Sequence, residues 1–396
     1  MGSVVLVVSL SYVTNMGVLR ASATTVTLGV NYGQLANNLP PPQEVVHLIG
    51  SVSLTKSKLY DTNATVLSAF KNTGISFVVG TLNSDLLPLA QQSGYADAWI
   101  NTNIMSFYPN TTIIGIVVGN EIFTSATDEA SVASMASVLP AMLNVYAALR
   151  SRGLQNQIFV STAHAFSTLS ASYPPSAGAF HPSIANAYMK PVLQFLSETG
   201  APFMINVYPF FAYKADPATV ALEYVLFQTN AGILDPTTGL RYYNMFDAQM
   251  DAVYTAISAL GFNNITLLVS ETGWPSLGGD DEPGATLANA QTYHTNLVQH
   301  LASKSGTPLR PDKTPEIYLF ALFNENQKPG PVSERNYGLF WPNGTKVYNF
   351  DFTTQASSSS SSSSLRVSDS TPRPFTFTLL LLLVQLLVRP FYNSSL

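Results

Sequence analysis

Eight short apolar runs, each followed by a longer segment with helical spacing, occupy the chain between Ala23 and about Asp351. The runs are Val26–Asn31, Ser57–Tyr60, Ser76–Gly80, Ile113–Gly119, Ile158–Ala163, Phe203–Val207, Ile265–Ser270 and Ile317–Phe323. Between them, apolar residues recur with the period of a helix over Ser131–Arg150, Asn186–Ser197, Met245–Leu260 and Leu287–Leu301. Several runs are apolar almost without interruption, as in Ile113-Ile114-Gly115-Ile116-Val117-Val118. Strands covered on both faces read this way, and a parallel sheet covers both. Eight strand–helix units of about 40 residues predict an α/β fold, a (β/α)8 TIM barrel in a single catalytic domain. The longer stretch from Phe210 to about Tyr243, after the sixth strand, predicts a small subdomain over the barrel mouth. A doubly wound open sheet is the alternative. It calls for a glycine-rich phosphate turn after the first strand, and Gly29-Val30-Asn31-Tyr32-Gly33 does not fit G-x-G-x-x-G.

The ends have a different composition. Val4 to Val13 is largely apolar and leads to Ala21-Ser22-Ala23, the pattern of a secretory signal peptide over residues 1–23, although no basic residue precedes the apolar stretch. Eight serines, Ser357 to Ser364, form a tether that has no means of packing. A polar spacer and an apolar run from Phe375 to Val388 follow, too short for a comfortable membrane span. Together they predict a glycosylphosphatidylinositol (GPI) anchor, attached near Ser361, Ser362, Ser363 or Ser364 and replacing the tail 375–396. The domain itself is then 24–352, with the tether and attachment region at 353–374. Asn63, Asn110, Asn264 and Asn343 each begin an Asn-x-Ser/Thr triplet and are candidate glycosylation sites of a secreted chain. The expected location is the outer face of the plasma membrane and the cell wall, and a monomer is expected.

Charge narrows the partners. Without the two ends the chain keeps 14 basic and 22 acidic residues, a net of −8. Such a surface repels phosphate backbones, so nucleic acid is an unsuitable partner, whereas a neutral polymer is not repelled. The chain has no cysteine, which excludes disulfides and thiolate metal sites. Its five histidines show neither H-x-x-x-H nor H-E-x-x-H spacing, so no metal site is expected, and no G-x-S-x-G elbow is present. His164 ends the fifth run and reads as a hydrogen-bonded structural residue, with lining of the cleft as the alternative. No cofactor is implied.

In a barrel of this kind, side chains that do chemistry project from the C-terminal ends of the strands. The fourth run ends in Gly119-Asn120-Glu121, the seventh in Ser270-Glu271-Thr272-Gly273-Trp274-Pro275, and the eighth in Phe323-Asn324-Glu325-Asn326-Gln327-Lys328. Carboxylates follow three strands whose apolar runs would make a charge costly to bury. One such glutamate is an ordinary surface residue; three in equivalent positions are not. Aromatics and amides fill the other strand ends, with Tyr32, Tyr60, Asn206, Tyr208 and Phe210 among them. That mixture suits a sugar polymer, whose pyranose faces stack on rings and whose hydroxyls bond to amides and carboxylates. Cleaving a glycosidic bond needs one carboxylic acid to protonate the leaving oxygen and one carboxylate to attack carbon or activate water. Glu121 and Glu271, on opposing parts of the ring, can supply both.

Four segments carry a family resemblance: Gly29-Val30-Asn31-Tyr32-Gly33, Val118-Gly119-Asn120-Glu121, Ser270-Glu271-Thr272-Gly273-Trp274-Pro275-Ser276 and Phe323-Asn324-Glu325-Asn326-Gln327-Lys328. With them the chain, from about Val26 to Phe350, resembles the plant β-1,3-glucanases of glycoside hydrolase family 17. The resemblance implies retaining endo-hydrolysis of β-1,3-glucan, with Glu121 as general acid/base and Glu271 as nucleophile. It implies a charged support of Glu325, Lys328 and Glu334, in which Lys328 would keep Glu271 ionised. Tyr32, Tyr60, Asn120, Asn206, Tyr208, Phe210 and Trp274 then look like glucan contacts, core packing being the alternative for Phe210 and Trp274. The chain lacks the cysteine-rich carbohydrate-binding module of longer members and is similar to the membrane-anchored branch. A non-catalytic glucan-binding protein, or a transglycosylase on the same fold, is the competing reading.

Overall fold

Leu28 stands opposite Ile317 and Val30 opposite Leu319, so the first and last apolar runs of the chain are neighbours in one sheet. That pairing closes a barrel of eight parallel strands in the computed structural model, which describes residues 28–303 and 306–352. The strands are β1 (Leu28–Asn31), β2 (Lys56–Lys58), β3 (Ser76–Gly80), β4 (Thr112–Asn120), β5 (Phe159–Ala165), β6 (Phe203–Asn206), β7 (Leu267–Thr272) and β8 (Glu316–Leu319). Each pairs with its neighbours in sequence, so the ring order is the chain order. All eight predicted strands are present. The largest difference is at the eighth, which leaves the ladder at Leu319. Its continuation still lies along the barrel, with Phe320 N donating to Thr272 O and Leu322 N to Asn31 O.

The barrel is filled rather than open. Val78, Val117, Ala163, Met204, Leu268 and Tyr318, one from each of β3 to β8, form a buried cluster inside it, with Phe159 packed against them. Large and small residues alternate between strands to fit. A Cβ on Gly29 would lie 2.4 Å from the Tyr318 ring, and one on Gly115 would lie 2.3 Å from the Phe159 ring. A second and larger apolar layer joins the outward faces of the strands to the helices. Those helices begin at polar caps. Asp128 accepts from Ser131 N ahead of Glu129–Arg150, Asn244 from Asp247 N ahead of Met245–Ala259, and Thr286 from Asn289 N ahead of Leu287–Ala302. Each such cap contributes about 1 kcal/mol. The helix predicted over Asn186–Ser197 is split into a π-helical turn, Ala185–Met189, and an α-helix, Lys190–Thr199, with Pro191 in its first turn.

The excursion after β6 contains two short helices, Pro209–Ala215 and Leu222–Val225, and a two-stranded ribbon of Ile233–Leu234 against Arg241–Tyr242. Asp235 ties the ribbon to the loop after β5 by accepting from Ser176 N at 2.9 Å and Ser176 Oγ at 2.8 Å. The expected leader (1–23), the expected tether with its serines Ser361 to Ser364, and the apolar tail lie outside the described residues.

Candidate active site

Glu121 owes its position to an abrupt end of β4. Gly119 has φ 74°, and Glu121 itself has φ 55°, a left-handed conformation that a residue with a Cβ adopts only under constraint. The constraint is a backbone bond, Glu121 N to Ala163 O at 2.8 Å. Beyond it the carboxylate turns over the barrel mouth, where Asn206 Nδ2, from the end of β6, donates to its Oε1 at 2.7 Å. Asn206 Oδ1 in turn accepts from Ser270 Oγ at 2.6 Å, and Ser270 precedes Glu271 on β7. A chain of two side chains thus joins the ends of β4 and β7. Burial pushes the Glu121 carboxyl up to about 7. The charge of Glu271 pushes it the same way, while the Asn206 hydrogen bond and the Lys58 charge oppose the rise.

Glu271 is held differently. Its Oε1 accepts from Lys58 Nζ at 3.1 Å and from Tyr60 OH at 2.8 Å, and its Oε2 accepts from Tyr208 OH at 2.9 Å. Three donors directed at one side chain fit a carboxylate rather than a carboxylic acid. Both tyrosines stay neutral donors. Burial, followed by the Glu271 charge, pushes their hydroxyls well above the ordinary phenol range. Asn31, at the end of β1, ties the cradle together. Its Oδ1 accepts from Lys58 Nζ at 3.3 Å and lies 3.2 Å from Tyr60 OH, whose one proton is directed at the nearer Glu271, and its Nδ2 donates to Ser270 O at 3.1 Å.

The expected charged support is assembled beside this pair, with one reassignment. Lys328 pairs with Glu334 at 3.5 Å and lies 4.2 Å from the centre of the Phe320 ring. The cation on Glu271 is Lys58 instead. Sequence reasoning missed it because Lys58 lies inside the run Ser57–Tyr60 rather than at a strand end, and a lysine there is expected to face water. Lys56 does take that part, pairing with Glu316 at 2.7 Å, whereas Lys58 is only 1% exposed. Glu325 accepts from Leu35 N at 2.8 Å, and burial pushes its carboxyl up against the pull of Lys328. Its carboxylate lies so close to Gly33 that a Cβ there would sit 2.3 Å from Glu325 Oε2, which explains that glycine.

The predicted glucan contacts divide into two groups. Tyr60 and Tyr208 are partly exposed at the mouth but bond to Glu271, and Asn206 bonds to Glu121. Asn120 is fixed by Asn83, which accepts from its N–H at 2.8 Å, and Asn120 Oδ1 has no partner among the described residues. Phe210 and Trp274 are corrected to core positions, each 0% exposed. Their rings pack edge to face at 5.2 Å, and the indole N–H of Trp274 donates to Gly284 O at 2.8 Å. Tyr32 is also buried, against Phe323, with its hydroxyl pushed up to about 12 by burial and by the charge of Asp61. A further aromatic beside the site is Phe211, 43% exposed and 5.3 Å from the Tyr208 ring.

His164 lines no cleft. It stacks between Phe123 and Phe203, and neither ring nitrogen has a partner among the described residues, so burial holds it far below its usual range, at about 3. Among the Asn-x-Ser/Thr sites, Asn110 and Asn264 are exposed and precede β4 and β7, at the end of the barrel away from Glu121 and Glu271. Asn63 is committed elsewhere: it caps a helix by accepting from Thr65 N and donates to Gln34 at 2.8 Å. Asn343 accepts from its own triplet's Thr345, at N and Oγ1.

Residues 28–352 match the family described as glycosyl hydrolases family 17. Over 346 residues the chain is 49% identical to glucan endo-1,3-beta-glucosidase 11 of Arabidopsis thaliana, covering 87% of this chain and 80% of that protein. It is 47% identical over 322 residues to glucan endo-1,3-beta-D-glucosidase of Olea europaea, covering 81% and 69%. Among solved structures it is similar to CJP38, a β-1,3-glucanase and allergen of Cryptomeria japonica pollen, with TM-score 0.78 and 42% identity over 83% of this chain and 100% of that one. The paired carboxylates at the ends of β4 and β7, the closed eight-stranded barrel and a match that spans all of it mean that this chain belongs to glycoside hydrolase family 17.

Proposed function

We propose that the chain is an endo-β-1,3-glucanase that hydrolyses β-1,3-glucan with retention at the anomeric carbon. The observation that carries this reading is the unequal treatment of two facing carboxyls. Glu121 is pushed up to about 7, and Glu271 is cradled by three donors. That is the division of labour between an acid and a nucleophile. In the first step Glu121 gives its proton to the glycosidic oxygen as a Glu271 oxygen bonds to the anomeric carbon. The bond to the leaving sugar breaks, and a glycosyl ester remains on Glu271. In the second step Glu121, now a carboxylate, takes a proton from water. The water oxygen attacks the same carbon, and the ester bond returns its electron pair to Glu271. Asn120, half-buried just before Glu121, is placed to meet a sugar hydroxyl beside that carbon, and Phe211 a pyranose face.

The relatives named as glucan endo-1,3-beta-glucosidases support β-1,3-glucan as the substrate class. Incubation with laminarin should release reducing oligosaccharides whose first-formed anomer, followed by NMR, is β. Glu271→Gln should lower kcat by about 10⁴-fold while leaving the thermal melt in place. An intact laminarin after prolonged incubation with the wild type, or a first-formed α anomer, overturns the reading. The expected place of work is outside the cell, on a GPI anchor; phosphatidylinositol-specific phospholipase C should release the processed chain from membranes. The exposure of Asn110 and Asn264 supports a secreted chain.

A further inference from the structure

The two-step reaction gives no task to Lys58. Lys58 is a fully buried ammonium on β2, and a buried cation is unfavourable by several kcal/mol unless it is paired. Its partners all belong to the site: Glu271 Oε1 at 3.1 Å, Asn31 Oδ1 at 3.3 Å and the Tyr60 ring at 3.9 Å from its centre. The other lysine of the site, Lys328, is committed to Glu334. We infer that Lys58 is a positioning residue that decides which of the two carboxyls carries the proton, holding it on Glu121 in the resting enzyme by bonding to Glu271 and not to Glu121.

This role rests on the reading of Glu121 and Glu271 as acid and nucleophile and extends to the charge of the site through the cycle. In the resting state the pair holds one negative charge, on Glu271, and Lys58 touches it. Once the glycosyl ester forms, Glu271 is neutral and Glu121 is the anion. Lys58 acts on Glu121 through space, so the site again holds one carboxylate and one ammonium. A direct bond to one carboxylate and a longer reach to the other is an asymmetry that the carboxyls alone lack. The groups that face Lys58 are Asn31 from β1, Tyr60 after β2, Glu121 from β4, Glu271 from β7 and Lys328 beyond β8. Tyr208 after β6 and the more distant Glu325 and Glu334 bear on the same carboxyls. Burial lowers the Lys58 ammonium, and Glu271 is the strongest of the groups pulling it back up.

The test compares wild type with Lys58→Met and Lys58→Gln, the latter keeping a hydrogen-bond donor without the charge. On laminarin, both variants should lose about 100-fold in kcat. The acid limb of the pH profile should move to higher pH by about 1–2 units. Because the chain has no cysteine, Lys58→Cys can be aminoethylated at a single position with 2-bromoethylamine, which rebuilds a side chain of the same length and charge. That treatment should restore both kcat and the acid limb. A merely structural lysine would instead lower the melting temperature and leave the acid limb in place. Titration of ¹³C-labelled glutamate carboxyls by NMR, without substrate, should show the pair taking up its second proton at higher pH in both variants. A wild-type acid limb in folded Lys58→Gln, or an unchanged carboxyl titration, overturns the inference. A wild type that cleaves no β-glucan overturns the hydrolase reading instead, and the titration still decides the role of Lys58.

Discussion

Glu121 shows how a single side chain is tuned by its surroundings. Burial is the larger force on its carboxyl and Glu271 the second, and both raise it to about 7. A general acid must be protonated, so activity should hold below about pH 7 and decline as pH rises through it; a kcat/KM profile on laminarin checks this. Asn206 opposes the rise by donating at 2.7 Å. Asn206→Ala removes a bond that favours the anion, so the alkaline limb should move up by about 1 unit, read from the same profile. At this scale Glu121 and Glu271 were legible in the sequence, since each follows an apolar run. Lys58 was not. In a three-residue strand with alternating lysines, nothing local tells which lysine faces water, and only closure of the ring shows that Lys58 lies beneath the carboxylates. The reading that gave its task to Lys328 failed because proximity in a motif is not proximity to a particular carboxylate.

Among elements, the short helix Pro209–Ala215 decides which aromatic meets the cleft. Successive helical residues point about 100° apart, so Phe210 enters the core as Phe211 turns outward. The sequence offers two identical residues, and the docking angle of the helix chooses between them. Phe210→Ala should cost about 3–5 kcal/mol in urea unfolding, as a ring removed from the core. Phe211→Ala should leave stability intact and raise KM for laminarin. The same helix is fastened by Glu282, which accepts from Lys214 Nζ at 2.9 Å, Ser333 N at 2.9 Å and Gly279 N at 3.0 Å. Burial raises this carboxyl, but its donors, led by Ser333, outweigh burial and hold it at about 2, below its ordinary 4.5. A lowered pKa contributes stability above the unfolded value, and that contribution is lost as pH falls through the folded one. Glu282→Gln should therefore destabilise by about 2 kcal/mol at pH 6, and the difference from wild type should shrink towards pH 2.

Over the whole molecule, the order and number of elements were readable because strands buried on both faces leave continuous apolar runs. Ser76–Gly80 was predicted to the residue at both ends. The eighth run misled at its far end. Phe320-Ala321-Leu322-Phe323 is as apolar as a strand, yet it is buried without joining the ladder. Apolarity reports burial, and pairing has to be inferred. Closure has a mechanical corollary: β1 has only four residues but bonds to both β2 and β8. A chain spanning 24–352 should fold and melt in one cooperative step by calorimetry. One beginning after Asn31 opens the ring and should show no such transition.

The cradle of Lys58, Tyr60 and Tyr208 comes from β2 and β6, or just beyond them, and the one backbone bond it takes from Glu271, Val207 N to Glu271 O at 2.9 Å, needs no side chain there. Shortening Glu271 to glycine would leave those donors around a vacancy sized for a small anion. Such a protein is a natural host for fluoride. Supplied with an α-glycosyl fluoride, it should join sugars rather than part them, turning a degrading enzyme into a synthetic one by the removal of a single side chain.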